Sequence, residues 1–485
     1  MVFSSLIFLY AFLPLSLLVY VLCKGREAKN MSLLVFSLIF YAWGEPKYVL
    51  LLMFMSLCSW FCALRVERAA SRKGKRAWVA VSCAIDIALI GFFKYAGLIC
   101  SVFGEVPEFI ANIALPIGIS FYTFQLLTYV VDVYRGDAEA QPSYLNVLLY
   151  ASLFHQCVAG PIVRYKTIAH ELFVQRDSRD LLSGISRFTV GLAKKTLLAN
   201  PCGALADQLL LSTDAASNAS LFAENLSTLS GLSALGAWVG VAAFMMQIYL
   251  DFSAYSDMAI GMGRMLGLHY LENFDYPYLS KTVTEFWRRW HISLGTFFRD
   301  YVYIPLGGRQ CSKARSVFNL FVVWALTGLW HGAHWNFVLW GLYFFVFILI
   351  ERLFLKRLFA KLHILPHIYL LFVVFVGWIL FHFTDVRLGW TVFLGLFGAN
   401  GNAASDFVSI TLLKNNVFLL AVSAIACTPL VKTMANGAGT RLRRSRSGER
   451  LFNLMAYIVF PIILLLLSTA SLVGDSYNPF IYFQF

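Results

Sequence analysis

Apolar residues in this chain gather into long, closely spaced runs. They lie at about 1–23, 31–43, 47–64, 77–100, 109–131, 144–163, 182–200, 233–252, 316–330, 334–355, 366–383, 388–398, 414–431 and 451–472. A helix needs roughly 20 apolar residues to span the hydrocarbon core of a bilayer. Several runs reach that length, and others are too short to cross alone. The pattern predicts an all-α polytopic membrane protein with about ten to twelve crossings plus interfacial or re-entrant helices. Internal repeats and low-complexity segments are not evident, so residues 1–485 read as one membrane domain.

The loops between the runs set the topology. Residues 24–29 (KGREAK) are basic, and 65–76 hold six Lys and Arg against Glu67. Residues 102–108 carry Glu105 and Glu108 with no basic residue. Basic loops stay in the cytoplasm, so the N-terminus is expected outside and "RLRRSRSGER" (441–450) inside. The first run has neither a basic leader nor an A-x-A cleavage site, and reads as a retained first helix.

Composition agrees. The chain is 59% hydrophobic and 13% charged, against about 25% charged in soluble domains. Its net charge of +13 could suggest nucleic acid, but the basic residues sit in short inter-helix loops, so a nucleic-acid partner is not expected. The nine cysteines include Cys58, Cys62, Cys83, Cys157 and Cys427 inside apolar segments. They show neither a disulfide framework nor a zinc spacing.

Polar residues inside apolar sequence are costly and call for a functional reading. In "LPIGISFYTFQLLTYVVDVYRG" (115–136), Pro116 and Gly118 break the helix early, while Gln125 and Asp132 share a face as interhelical glue or ligand groups. In "FHQCVAGPIVRY" (154–165), Ala-Gly-Pro ends or kinks a helix between His155 and Arg164. In "QIYLDFSAYSDMAIGMGRMLG" (247–267), Asp251 and Asp257 could hold a cation, a proton or a substrate hydroxyl. Alternatively this segment is a re-entrant turn whose carboxylates pair with the arginines of 288–299. In "LTGLWHGAHWNFVLWGLYFF" (326–345), His331 and His334 lie among tryptophans between two apolar helices. Neutral imidazole is the usual general base for a hydroxyl or thiol. No HExxH or carboxylate partner follows, so no metal site is expected.

The stretch "FWRRWHISLGTFFRDYVYIPLGG" (286–308) is too polar to cross and too aromatic for a solvent loop. At 100° per residue, Glu285, Arg288, Arg289, Thr296 and Arg299 fall on one helical face, and Trp287, Trp290, Leu294, Phe297 and Phe298 on the other. That predicts an interfacial amphipathic helix. Its arginines suit phosphates or headgroups, or serve simply as a basic anchor. His291 falls on the apolar side and is expected to point inward.

These stretches, with "VAGPIVRY" and the final "NPFIYFQF", strongly resemble the membrane-bound O-acyltransferase (MBOAT) family. The similarity runs from about residue 40 to the last residue and is greatest to the bacterial branch that acetylates alginate, peptidoglycan or cellulose. The resemblance implies a curved ring of membrane helices around a central tunnel, with a motif-bearing core at about 110–345. It assigns catalysis to the histidine of W-H-G, here His331, and places His291 in the same central region. His382 and Thr384 depart from the family's usual G-W-x-x-F-R, and His334 stands where a small polar residue is commoner. Arg288, Arg289, Arg299, Asp251, Asp257 and Asn336 complete the candidate donor- and substrate-binding set.

The expected activity is transfer of an acyl group, most simply acetyl, from a cytoplasmic thioester such as acetyl-CoA to hydroxyls of an exopolysaccharide beyond the membrane. No tightly bound cofactor is expected. Expected partners are membrane lipids, the polysaccharide and a secreted SGNH-type acetyltransferase, and the expected location is the bacterial inner membrane. D-alanyl transfer to teichoic acid is the alternative within the family. A polysaccharide-precursor transporter is the alternative outside it, although paired halves with inverted-repeat hydropathy are not seen.

Overall fold

The computed structural model describes residues 1–479 except 159, 175, 177–179, 360 and 476. Among the described residues every regular element is helical. Among the described residues, seven helices are long and apolar enough to cross a membrane: Val49–Arg68, Arg72–Phe103, Ala234–Met265, Trp335–Phe359, Leu365–His382, Phe407–Ala426 and Arg446–Gly474. Other apolar runs fall outside this set for local reasons. The run at 109–131 becomes continuous helix only after Gly118, and the run at 144–163 breaks at Leu153 and again at Val158. Helix 181–210 carries Arg187, Lys194, Lys195 and Asp207.

The chain forms two compact units, Met1–Gly191 with Tyr255–Glu272, and Leu192–Ala254 with Asn273–Phe485. In the first, α1 (Val49–Arg68) and α2 (Arg72–Ile90) make a hairpin through a three-residue connection, capped by the Ser71 hydroxyl accepting from Gly74 N–H. Helix α3 (Ile119–Arg135) packs on both. It starts at Gly118, whose φ of 75° needs glycine and where a Cβ would press into the Cys157 carbonyl. The face shared by Gln125 and Asp132 is buried, and Asp132 lies 3.7 Å from Lys166 of α4 (Tyr165–Phe173). The expected break at 158–164 is present, with Ala159 outside the described residues. His155 is buried, and its Nδ1 meets the Tyr270 hydroxyl at 2.7 Å. His269 is gripped on both ring nitrogens, by Glu171 at 2.7 Å and Asp180 at 2.8 Å.

Helix α5 (Ala234–Met265) is continuous for 32 residues. Of the two readings of 247–267, the re-entrant turn is not the one that forms: the Gly and Ser residues of this segment are tolerated in a helix that is well buried. In the second unit follow α6 (Val283–Arg289), α7 (Ile292–Phe298), α8 (Lys313–His331), α9 (Trp335–Ile350) and α10 (Leu365–His382). Thr282 caps α6 by accepting from Glu285 N–H at 3.0 Å. The buried Glu351 carboxylate, at the far end of α9, also accepts from Val283 and Thr284 N–H. A carboxylate at a helix N-terminus satisfies otherwise orphaned donors and here fixes where α6 begins.

Candidate active site

The predicted amphipathic helix over 285–299 is two helices. The chain leaves helical geometry at Trp290, and His291 adopts a left-handed backbone with φ 46°. No glycine or proline causes the break. The segment 273–275 runs alongside and supplies the backbone bonds a continuous helix would have made: Asp275 N–H donates to the Arg289 carbonyl at 2.9 Å, and Ile292 N–H to the Asn273 carbonyl at 3.0 Å. A non-glycine residue in this region costs about 1–3 kcal/mol and persists only where its surroundings fix it.

His291 does face inward, with 1% of its surface exposed. Asn273 Oδ1 accepts from Ser293 N–H at 3.0 Å and Ser293 Oγ at 2.8 Å, and lies 3.3 Å from His291 Nδ1. The Ser293 amide can only donate, so this Asn273 atom must be the oxygen. Nδ1 also lies 3.4 Å from Ser293 Oγ, and with that hydroxyl donating along its shorter contact to Asn273 the imidazole proton falls on Nδ1 and Nε2 presents a lone pair. Among the described residues Nε2 has no hydrogen-bond partner. Burial pushes the imidazole down to about 3, so His291 stays neutral across the physiological range.

His331 ends α8 and is also buried. Helices α8 and α9 form a tight hairpin turned at Gly332–His334, and His334 is exposed at the start of α9. A Cβ at Gly328 would press into the Phe337 carbonyl, and one at Gly341 into the Trp324 carbonyl, so both glycines are required for this approach. Trp330 links the two buried histidines. Its ring lies 5.5 Å from His291 and 4.8 Å from His331. Trp340 at 4.9 Å and Phe381 at 5.3 Å close round His331, and Phe252 at 4.6 Å stands edge-on to His291. The tryptophans continue outward, Trp340 to Trp287 (5.3 Å) and Trp378 (6.2 Å), Trp287 to Trp324 (5.0 Å), and Trp378 to Trp290 (4.9 Å).

The other candidates divide. Asn336 is fully buried and donates to the Leu380 carbonyl at 3.2 Å, which holds the end of α10, and with it Phe381, beside His331. Arg289 pairs with Glu285 at 2.8 Å, Arg299 pairs with Asp300 at 2.6 Å, and Arg288 is exposed. Asp251 and Asp257 are not brought together, because six residues on a helix turn through about 600° and place them on different sides. Asp251 pairs with Lys195 at 2.7 Å and Asp257 with Arg187 at 2.6 Å. His382 Nε2 bonds the Leu211 carbonyl at 3.1 Å. Sequence reasoning missed Asn273, which lies in "ENFDYPYL" with no motif to mark it. Among the described residues no three His, Cys, Asp or Glu side chains gather as metal ligands.

Fold and site together describe a polytopic membrane protein with two imidazoles buried among tryptophans. Residues 52–393 match the model of MBOAT, the membrane-bound O-acyltransferase family, and the chain belongs to that family. It is a multi-pass membrane O-acyltransferase. The "Probable alginate O-acetylase AlgI" of Azotobacter vinelandii is 33% identical over 517 aligned positions, covering 100% of both chains. The peptidoglycan O-acetyltransferase of Helicobacter pylori is 29% identical over 83% of this chain and 80% of its own. The teichoic acid D-alanyltransferase of Bacillus subtilis is 26% identical over 48% of this chain and 58% of its own.

Proposed function

We propose that this protein transfers an acetyl group from a cytoplasmic thioester, with acetyl-CoA the simplest donor, to hydroxyls of an extracytoplasmic polysaccharide such as alginate, directly or through a secreted SGNH-type acetyltransferase. The observation that carries the reading is the pair of buried imidazoles on one tryptophan ring, Trp330. Full-length similarity to alginate O-acetylases supports the polymer class and acetyl as the group. The teichoic acid relative, matched over half the chain, supports D-alanyl transfer less well.

In this mechanism the acceptor sits between the histidines. His331 accepts the hydrogen bond of the reacting hydroxyl, while His291 Nε2, a lone pair on a neutral ring, accepts from a neighbouring hydroxyl of the sugar and so orients the acceptor. With its proton on Nδ1, His291 cannot polarise the thioester carbonyl by donating to it. His331 takes the proton as the hydroxyl oxygen attacks the carbonyl carbon. The new C–O bond forms, the C–S bond breaks, and the proton passes to the leaving thiolate. The apolar nest excludes water, which would otherwise hydrolyse the thioester. Arg288, exposed at the end of α6, is available for donor phosphates, whereas Arg289 and Arg299 are engaged locally.

The test is mass analysis of surface polysaccharide from cells carrying wild-type protein, His331→Ala, or no protein. The mutant should insert normally and lose transfer by about 10²–10⁴-fold, the usual worth of general acid–base help. Near-normal acetylation by the mutant would overturn the assignment. A D-alanyl mass on teichoic acid would select the alternative.

A further inference from the structure

Helix α2 carries a charged side chain where charge is costly. Asp86 lies within the span Arg72–Phe103 and is 0% exposed. Among the described residues neither carboxylate oxygen has a hydrogen-bond partner. The hydroxyls of Ser59 on α1 and Thr123 on α3, both buried, are in the same state, and that of Ser82 on α2 has only the Cys62 thiol beside it. Helical Ser and Thr usually bond a carbonyl three or four residues back, as Thr128 and Thr196 do here. Ser59, Ser82 and Thr123 do not.

Their positions converge. In the antiparallel α1–α2 hairpin the Cys62 thiol is hydrogen-bonded to Ser82 and lies within electrostatic reach of Asp86. One turn back along α1 is Ser59, and one turn onward along α2 is Asp86, so these two come level. Helices α2 and α3 are also antiparallel, tied by Arg76 to the Tyr134 hydroxyl at 3.1 Å and by Lys94 to the Ser120 hydroxyl at 3.3 Å. Asp86 falls between those ties, which brings Thr123 within a turn of its level.

A carboxylate held in so dry a place must be neutralised. A proton would need one acceptor, but this cluster offers two carboxylate and three hydroxyl oxygens, all hard ligands around a single negative charge. Such a set suits a small univalent cation rather than a divalent or transition ion. We propose that Asp86, Ser59, Ser82 and Thr123 form a sodium-binding site where α1, α2 and α3 meet.

The experiment is thermal unfolding of the full-length protein in detergent, in sodium, potassium or choline chloride at one ionic strength, at pH 6 and pH 8. Sodium should raise Tm saturably, potassium less and choline not at all. Asp86→Asn should lose the sodium-dependent rise. Ser59→Ala and Thr123→Ala, which keep the charge, should move half-saturation upward by roughly tenfold, about 1.4 kcal/mol of ligand binding. If Asp86→Asn does not fold, those two variants decide. Identical unfolding in the three salts overturns the proposal. So does a Tm that follows pH with no sodium dependence, because Asp86 would then simply be protonated.

Discussion

At the scale of single residues, the site depends on how His291 is held. Asn273 fixes its tautomer and also satisfies the Ser293 amide, so Asn273→Ala strips both. Losing such a buried partner costs about 1–3 kcal/mol. The expected result is a lowered Tm and a fall in kcat larger than any change in KM for the thioester. Acid stability carries a second signature. The folded pKa of His291 is depressed to about 3 by burial, so the stability it contributes is complete above the unfolded value of about 6.5 and is lost as pH falls toward 3. Acid unfolding of wild type should therefore be steeper over that window than that of His291→Asn, measured by far-UV circular dichroism. The inward aim of His291 was legible in the sequence, but the reason was not. The helical wheel assumed an unbroken helix, and the break at 290–291 comes from backbone pairing with residues 273–275, remote in sequence and free of motif.

Among elements, the α8–α9 hairpin is the most exacting. Gly328→Ala should force the helices apart, costing about 1–3 kcal/mol as overpacking does and displacing His331. Lower Tm with acyl transfer reduced in proportion more than protein yield would be the readout. The tryptophans around His331 were legible in the sequence, but the Phe337 carbonyl that Gly328 packs against was not. The sequence also left 247–267 open between a ligand-holding segment and a re-entrant turn, because Asp, Ser and Gly are dense there. Burial against other helices overrode that local preference. A further element, the His269 grip, makes a pH prediction of opposite sign. The hydrogen bond to Asp180, then that to Glu171, raises this partly exposed imidazole above its ordinary value. Its contribution is complete below about pH 6.5 and vanishes as pH rises through the raised folded value. The Tm difference between wild type and His269→Gln should shrink from pH 6 to pH 9.

For the whole molecule, apolar runs and ordered motifs made the membrane class and family readable, while the number of crossings was not. Charged residues and early helix breaks remove several runs from the set of seven, and only packing shows where such segments go. The basic loops predict that single cysteines introduced near residue 70 react with impermeant thiol reagents only after the inner face is exposed, whereas those near residue 105 react in intact spheroplasts. The reverse pattern would invert the topology. The tryptophans around His331 also have an optical consequence. Five of them, Trp287, Trp290, Trp324, Trp340 and Trp378, form an unbroken chain of ring contacts, and Trp330 touches both imidazoles. Excitation absorbed anywhere along that chain migrates among neighbours, and a charged imidazolium is a strong quencher of an adjoining indole. If the proposed mechanism holds, the protein therefore carries its own lamp beside His331. Binding of a thioester there, or uptake of a proton by His331, should then register as a change in ultraviolet emission without any label.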